Sequence, residues 1–194
     1  MLQIVLIRPG STDYDVQERI QGSLDIPLSE QGLAEAAATA EQLRDKGLEV
    51  IYAPVAQPPL QTAELIAKAL GIKRKKIERL QNLHQGLWEG MLVEDVRRKQ
   101  PKVYRQWQEQ PENVCPPEGE MLAEADGRVH AAVAKLLKRH KEGVIGLVLP
   151  EPLRSLARRF VAHCELGDLW KAPNGYGRIE VLAVDPEEIL AASV

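Results

Sequence analysis

Few residues of this 194-residue chain are of the types that carry out nucleophilic or metal chemistry. The chain has four histidines and two cysteines, and Cys115 and Cys164 belong to no CxxC pair or other metal-spaced cluster. Spacing assigns no partner acid or second base to His84, the histidine nearest the predicted site. The pattern therefore predicts no metal and no cofactor, and it favours a surface or packing role for His84.

The elements that must position any site follow from the hydrophobic pattern. Short apolar runs alternate with longer helical patterns, which is typical of a mostly parallel sheet with helices on its faces. We expect strands at 2–7, 48–52, 143–149 and 176–184, and helices at 30–46, 60–70, 121–140 and 153–162. Ligands bind beyond the carboxyl ends of strands in such sheets, so we expect a site where 2–7 and 143–149 end.

Composition predicts the class of protein. We interpret residues 1–194 as one three-layer α/β/α domain, with a proline-rich lid or insertion at about 91–120. The net charge of −3 disfavours nucleic acid and membrane as partners, and no apolar run is long enough for a membrane helix. We expect a cytoplasmic monomer or homodimer. The basic runs 73–76 and 97–99 could steer an acidic partner, but we interpret them as solvated faces.

Six segments carry a recognisable set of motifs. Residues 6–12 read Leu-Ile-Arg-Pro-Gly-Ser-Thr, and further matching stretches lie at 20–32, 51–64, 80–90, 117–120 and 147–151. Together they resemble the histidine phosphatase superfamily, in which the first segment reads Arg-His-Gly-Glu-Thr after a strand. The likeness spans about residues 2–184 and implies a phosphoglycerate-mutase-like fold.

The resemblance also implies the residues of the site. In the family, one histidine attacks the phosphoryl group, arginines and a second histidine hold its oxygens, and an acid protonates the leaving group. Four of these positions are degenerate here: Pro9, Pro58, Asn82 and Pro150. The implied ligand-binding positions are Arg8, Gly10, Thr12, Asp15, Gln21, Gly22 and Glu151. A prolyl ring has no lone pair to offer phosphorus, and an amide cannot act as the acid.

These substitutions lead to a hypothesis and an alternative. The hypothesis is a catalytically inactive pseudo-phosphatase, not an enzyme, that binds an unknown partner protein or small-molecule ligand. The alternative is a phosphoglycerate mutase-like phosphatase, or a hydrolase with chemistry rebuilt around Asp15, Glu151 or His84. Arg8 is predicted to pair with Asp15 or Glu151, with an anionic ligand as the other option.

Overall fold

The computed structural model describes residues 1–78, 80–166 and 177–191. The strands are β1 (Leu2–Ile7), β2 (Val50–Pro54), β3 (Lys73–Ile77), β4 (Gly143–Val148) and β5 (Ile179–Val184). The helices are α1 (Asp13–Val16), α2 (Glu30–Gln42), α3 (Gln57–Leu70), α4 (Val93–Lys99), α5 (Pro101–Glu109), α6 (Leu122–Arg139), α7 (Leu153–Ala162) and α8 (Pro186–Ala191). Short 3-10 turns lie at Arg44–Lys46, Gly86–Trp88 and Pro111–Asn113.

The five strands form one mostly parallel sheet in the order β3-β2-β4-β1-β5. β4 pairs in parallel with both β1 and β2, β2 pairs in parallel with β3, and β5 runs antiparallel to β1. The predicted fold class is confirmed, as are the central position of the 143–149 strand and the edge position of the last strand. The predicted start of that last strand, at Tyr176, lies outside the described residues.

Each inner strand contributes side chains to two separate hydrophobic cores, one on each face of the sheet. In β1, Leu2, Ile4 and Leu6 point into one core, whereas Val5 and Ile7 point into the other. The first core includes residues of α6 and α7, and the second includes residues of α2 and α3. Because successive side chains of a strand point to opposite faces, a strand that is apolar throughout serves both helical layers at once.

Helix α2 begins where the sequence predicts but ends earlier than predicted. Ser29 caps α2 by accepting a hydrogen bond of 3.0 Å from the Gly32 amide, as expected. The regular helix ends at Gln42, and a 3-10 turn carries the chain to Gly47, whose φ of 68° reverses its direction. Leu33 was expected on the buried face but is 45% exposed, whereas Ala36 and Ala40 on the same helix are buried.

Two regions were not predicted as regular structure. The run 73–76 forms β3, which the hydrophobic pattern missed because its side chains are charged on both faces of the strand. The segment 91–120 contains α4 and α5, and it packs on the body through Val96 and Trp107. The Trp107 ring meets Trp88 edge-on, with ring centres 6.0 Å apart. No helix in the described part of the chain is long and apolar enough to cross a membrane.

Candidate functional site

A cavity of about 530 Å³ opens beyond the carboxyl ends of β1 and β4. Its lining comes from the segments 8–10, 15–22, 82–85 and 150–152, from Pro58, and from five side chains of α4 and α5. The sequence-predicted residues that line it are Arg8, Pro9, Gly10, Asp15, Gln21, Gly22, Pro58, Asn82, Pro150 and Glu151. Thr12 is 1% exposed and does not line the cavity. The fold therefore brings most of the predicted positions to one place.

Arg8 and Gly10 are positioned by the end of β1. Arg8 is only 7% exposed, and its amide donates to the Arg178 carbonyl at 3.0 Å. The Gly10 amide donates to the Thr62 hydroxyl at 3.1 Å. A side chain at Gly10 would collide with the Gly32 backbone, so two segments can approach this closely only through glycine. The floor of the cavity is thus rigidly held.

Asp15 is held in the wall of the cavity by a capping box. Its Oδ2 accepts hydrogen bonds from the Thr12 amide and hydroxyl, each at 2.7 Å, while the Asp15 amide donates to the Thr12 hydroxyl at 3.2 Å. This reciprocal arrangement satisfies the first turn of α1 and orients the carboxylate. Thr12 therefore acts on the site through Asp15, which explains why a family-motif position lies outside the lining.

Glu151 is held from the opposite side by α7. Its carboxylate pairs with Arg154 at 3.2 Å and accepts from the Ser155 hydroxyl at 2.7 Å and the Ser155 amide at 3.2 Å. Arg154 also pairs with Glu180 at 3.2 Å. The Glu151 side chain is 11% exposed, so this ion pair lies in a partly desolvated region. Arg154, which the sequence motifs did not single out, therefore orients the carboxylate that follows β4 and pairs with it.

Asn82 joins two walls of the cavity. Its Nδ2 donates to the Gly22 carbonyl at 3.0 Å and to the Glu151 carbonyl at 3.2 Å. An ionised acid at this position could donate to neither carbonyl. The Asn82 amide therefore cross-links the segments that carry Gly22 and Glu151.

Two further cations reach the cavity, and sequence reasoning missed both. Arg19 donates from Nη1 to the Gly90 carbonyl at 2.7 Å and from Nε to Gln17 at 2.9 Å. Arg97 on α4 pairs with Glu94 at 2.7 Å, and both of these side chains line the cavity. Nothing in the local pattern marks Arg19, and Arg97 was included in a run interpreted as a solvated face. The cavity therefore contains cations from outside the matched motif segments as well as Arg8.

His84 lies outside the lining. Its Nε2 is 3.9 Å from Glu89 Oε2, and its side chain is 49% exposed. Glu89 instead fastens the loops, since its Oε1 accepts from the Ser23 amide and hydroxyl and from the Gln85 amide at 2.8 to 3.0 Å. His84 therefore lies at the surface, in line with the surface or packing role expected for it.

Comparison with known proteins identifies the family. The profile of the histidine phosphatase superfamily (branch 1) matches residues 4–193. Phosphoserine phosphatase 1 of Hydrogenobacter thermophilus is 34% identical over 80% of this chain and 74% of its own length. A protein of Yersinia pestis named as a probable phosphoglycerate mutase is 33% identical over 71% of this chain, and the match spans 64% of the mutase.

A solved structure agrees with these relatives. A mycobacterial glucosyl-3-phosphoglycerate phosphatase in complex with VO3 superimposes with a TM-score of 0.81 and is 25% identical, covering 93% of this chain and 92% of the phosphatase. The phosphoglycerate-mutase-like fold implied by the motifs is confirmed.

The prediction that the chain is not an enzyme is corrected by these comparisons. Proteins that match most of the chain are phosphatases or are named as a mutase. The physical reason for the error is that Pro9 and Pro150 exclude attack by an imidazole at those two positions and nothing more. Hydrolysis by an activated water needs cations and a base, and the cavity contains both types of side chain.

Proposed function

Because the chain belongs to the histidine phosphatase superfamily, we propose that it hydrolyses a phosphate ester by a route that forms no phosphohistidine. One observation carries the proposal: three guanidinium groups and four carboxylates line the same cavity. They belong to Arg8, Arg19 and Arg97 and to Asp15, Glu18, Glu94 and Glu151, and the carboxylates of Asp15 and Glu151 are held by neighbouring hydrogen bonds. A phosphate ester is favoured as the substrate class because the relatives include a phosphoserine phosphatase and a glucosyl-3-phosphoglycerate phosphatase.

The arginines supply the phosphate-binding part of this function. A guanidinium fork matches the spacing of two phosphate oxygens, and burial strengthens the attraction. Arg8 is nearly buried at the end of β1, and Arg19 is held in place by two hydrogen bonds. In this proposal, Arg19 and Arg97 supply from other elements the positive charge that the resemblance implies at the position of Pro58, although Arg97 is 60% exposed and is paired with Glu94.

The carboxylates supply the base. In the proposed step, a water oxygen attacks phosphorus and the bond from phosphorus to the ester oxygen breaks. The proton of that water passes to the carboxylate of Asp15 or Glu151, and the departing alkoxide takes a proton from solvent. Both carboxylates are oriented by neighbouring hydrogen bonds, which lowers the entropy lost in positioning the water.

The segment 91–120 belongs to this proposal as the cover of the cavity. Val93, Tyr104 and Trp107 line the cavity from α4 and α5, opposite the polar residues that follow β1. Apolar side chains on that side exclude bulk water from the organic part of an ester.

The test is hydrolysis of a panel of phosphate esters in ¹⁸O-labelled water. We expect inorganic phosphate that carries one labelled oxygen per turnover, with no acid-labile phosphoenzyme on rapid quenching. Absence of turnover across the panel, or an acid-labile phosphohistidine, would contradict the proposal.

Matched variants identify the base. Asp15→Asn and Glu151→Gln keep size and much of the hydrogen bonding, and loss of a general base lowers kcat by roughly 10²- to 10⁴-fold. Asp13→Asn is the control, because Asp13 lies on the same helix, is exposed and does not line the cavity. Unchanged kcat in both of the first two variants would show that neither carboxylate is the base.

A further inference from the structure

The outer edge of β3 combines an unpaired strand edge with a row of positive charge. β3 is the last strand of the sheet, and in the described part of the chain no strand pairs with its outer edge. Lys73, Lys75 and Lys76 are exposed, and Arg74 is half-buried. The four cations stand in succession on a chain whose net charge is −3. From this edge we infer that β3 binds an acidic, extended segment of a partner protein by strand addition.

The main chain of β3 explains why the ligand is a peptide strand. The outer edge of a parallel strand presents amide N–H and carbonyl groups at alternate residues, about 6.6 Å apart. A second peptide strand offers both acceptors and donors at that spacing. Phosphate groups of a nucleic acid or a lipid are acceptors only, so they would leave the carbonyls of the edge without partners.

The side chains of β3 explain why the segment is acidic. Lys73 and Lys75 point to one face of the sheet, and Arg74 and Lys76 point to the other. An added strand with carboxylates on both faces therefore meets a cation at each position. Opposite charges across a strand pair contribute roughly 0.2–1 kcal/mol each.

Charge repulsion also argues against a second copy of this chain as the partner that pairs with the outer edge of β3. Two β3 edges placed together would oppose four cations with four cations, and like charges across strands are destabilising. The other sheet edge, β5, has a single acidic residue, Glu180, which already pairs with Arg154 and Arg158. Lysines on an edge prevent pairing between copies, and the same lysines select an acidic strand.

The end of α6 extends the positive surface beside β3. Lys75 Nζ lies 5.8 Å from the centre of the Tyr52 ring, and the Tyr52 hydroxyl is 2.8 Å from His140 Nε2. Lys75 and Arg139 both act on the charge of His140. Lys75 and Arg139 are both exposed, so cations of β3 and of the last turn of α6 both lie near His140.

The experiment measures binding of labelled peptides to the whole chain by fluorescence anisotropy. The probe is a short peptide with glutamate at successive positions, so that an added strand presents carboxylates on both faces. One comparison peptide has glutamine for glutamate, and another has N-methyl groups at all of its backbone nitrogens, which blocks both edges of the peptide strand. We expect the acidic peptide to bind on the order of tenfold more tightly than either comparison peptide, and less tightly as salt rises.

Variants locate the binding edge. Lys73→Glu with Lys75→Glu should weaken the acidic peptide on the order of tenfold, and Lys73→Gln with Lys75→Gln should weaken it less. Lys99→Glu with Lys102→Glu is the matched control, since both residues are exposed and neither lines the cavity. Thermal unfolding of each variant confirms that it is folded.

Several outcomes would overturn the inference. These are equal binding of the acidic and glutamine peptides, equal binding of the N-methylated peptide, or an effect of the control variant equal to that of the β3 variant. Tighter binding of a polyuridine oligonucleotide or of phosphatidylserine vesicles would show that charge alone, without strand pairing, governs this surface. None of these results depends on phosphatase activity, so the inference stands or falls separately from the proposed function.

Discussion

The hydroxyl of Tyr52 on β2 lies 2.8 Å from Nε2 of His140, the residue that ends α6. Tyr52 is 2% exposed, and its ring meets the imidazole edge-on with ring centres 5.7 Å apart. The contact ties the central helix of one layer to the sheet. It also places the ionisable His140 ring near the positive charges of Lys75 and Arg139, so the stability of the fold should depend on pH.

Stability should fall on mild acidification through His140. Burial, helped by the positive charges of Lys75 and Arg139, lowers the pKa of His140 below its usual value of 6.5. His140 therefore binds a proton more readily in the unfolded chain than in the folded one. The stability that the neutral His140 contributes is fully present above about pH 6.5 and is lost as the pH falls through the pKa of the folded state. Thermal melts of the parent and of His140→Gln at pH 7.5 and 5.5 check this. A parent that loses no more stability than the variant would contradict it.

A second pH effect should arise from Glu120 at lower pH. Burial alone would raise the pKa of Glu120, but hydrogen bonds from Arg128 and from the His84 amide outweigh it and lower the pKa. This stabilisation is present above the unfolded pKa, about 4.5, and is lost as the pH falls through the folded value. Urea unfolding at pH 7 should show Glu120→Gln destabilised by about 1–2 kcal/mol.

An exposed ion pair, Glu41 with Arg44, serves as the control for the Glu120 variant. Glu41→Gln removes a similar ion pair to Arg44, but these side chains are 62% and 55% exposed. We expect no measurable change, because solvent screens an exposed pair. Equal destabilisation of the two variants would show that the burial of Glu120 does not increase the contribution of its ion pair to the free energy of unfolding.

The close approach at Gly10 predicts opposite outcomes for two glycines. Gly10→Ala should destabilise the fold by about 1–3 kcal/mol, because the added methyl meets the Gly32 backbone. Gly127→Ala, inside α6 with no neighbour near its missing side chain, should stabilise by about 0.5–1 kcal/mol. Denaturant midpoints of the two variants give the comparison, and a neutral Gly10→Ala would refute the account of the cavity floor.

The cover of the cavity should depend on one aromatic anchor. Trp107 is 3% exposed, and Trp107→Ala should destabilise by about 3–5 kcal/mol, with faster amide exchange in α4 and α5 than in β1. Leu87→Ala, at a position 60% exposed, is the control and should leave both quantities unchanged. Uniform exchange across the chain in the Trp107 variant would argue against a separable cover.

Local pattern was sufficient for much of the fold. The apolar runs 2–7 and 143–149 are buried on both faces, so they could only be inner strands of a covered sheet. Ser29, Gly47 and Gly71 mark boundaries because capping and positive φ are local requirements. β3 escaped notice because an edge strand needs no apolar face, and its pairing with β2 is a long-range property.

For the candidate site as well, some features follow from the local sequence and others only from the tertiary structure. The sequence by itself determined that prolines stand at 9 and 150, where the motif resemblance implies histidines, and that Arg8 and Glu151 are their chain neighbours, with Asp15 six residues after Pro9. Only the tertiary structure decided that Arg154 holds Glu151, and that Arg19 and Arg97 reach the same cavity. The physical reason is distance: a local motif specifies residues carried by one segment, whereas charge in a cavity is summed over every segment that the fold brings there.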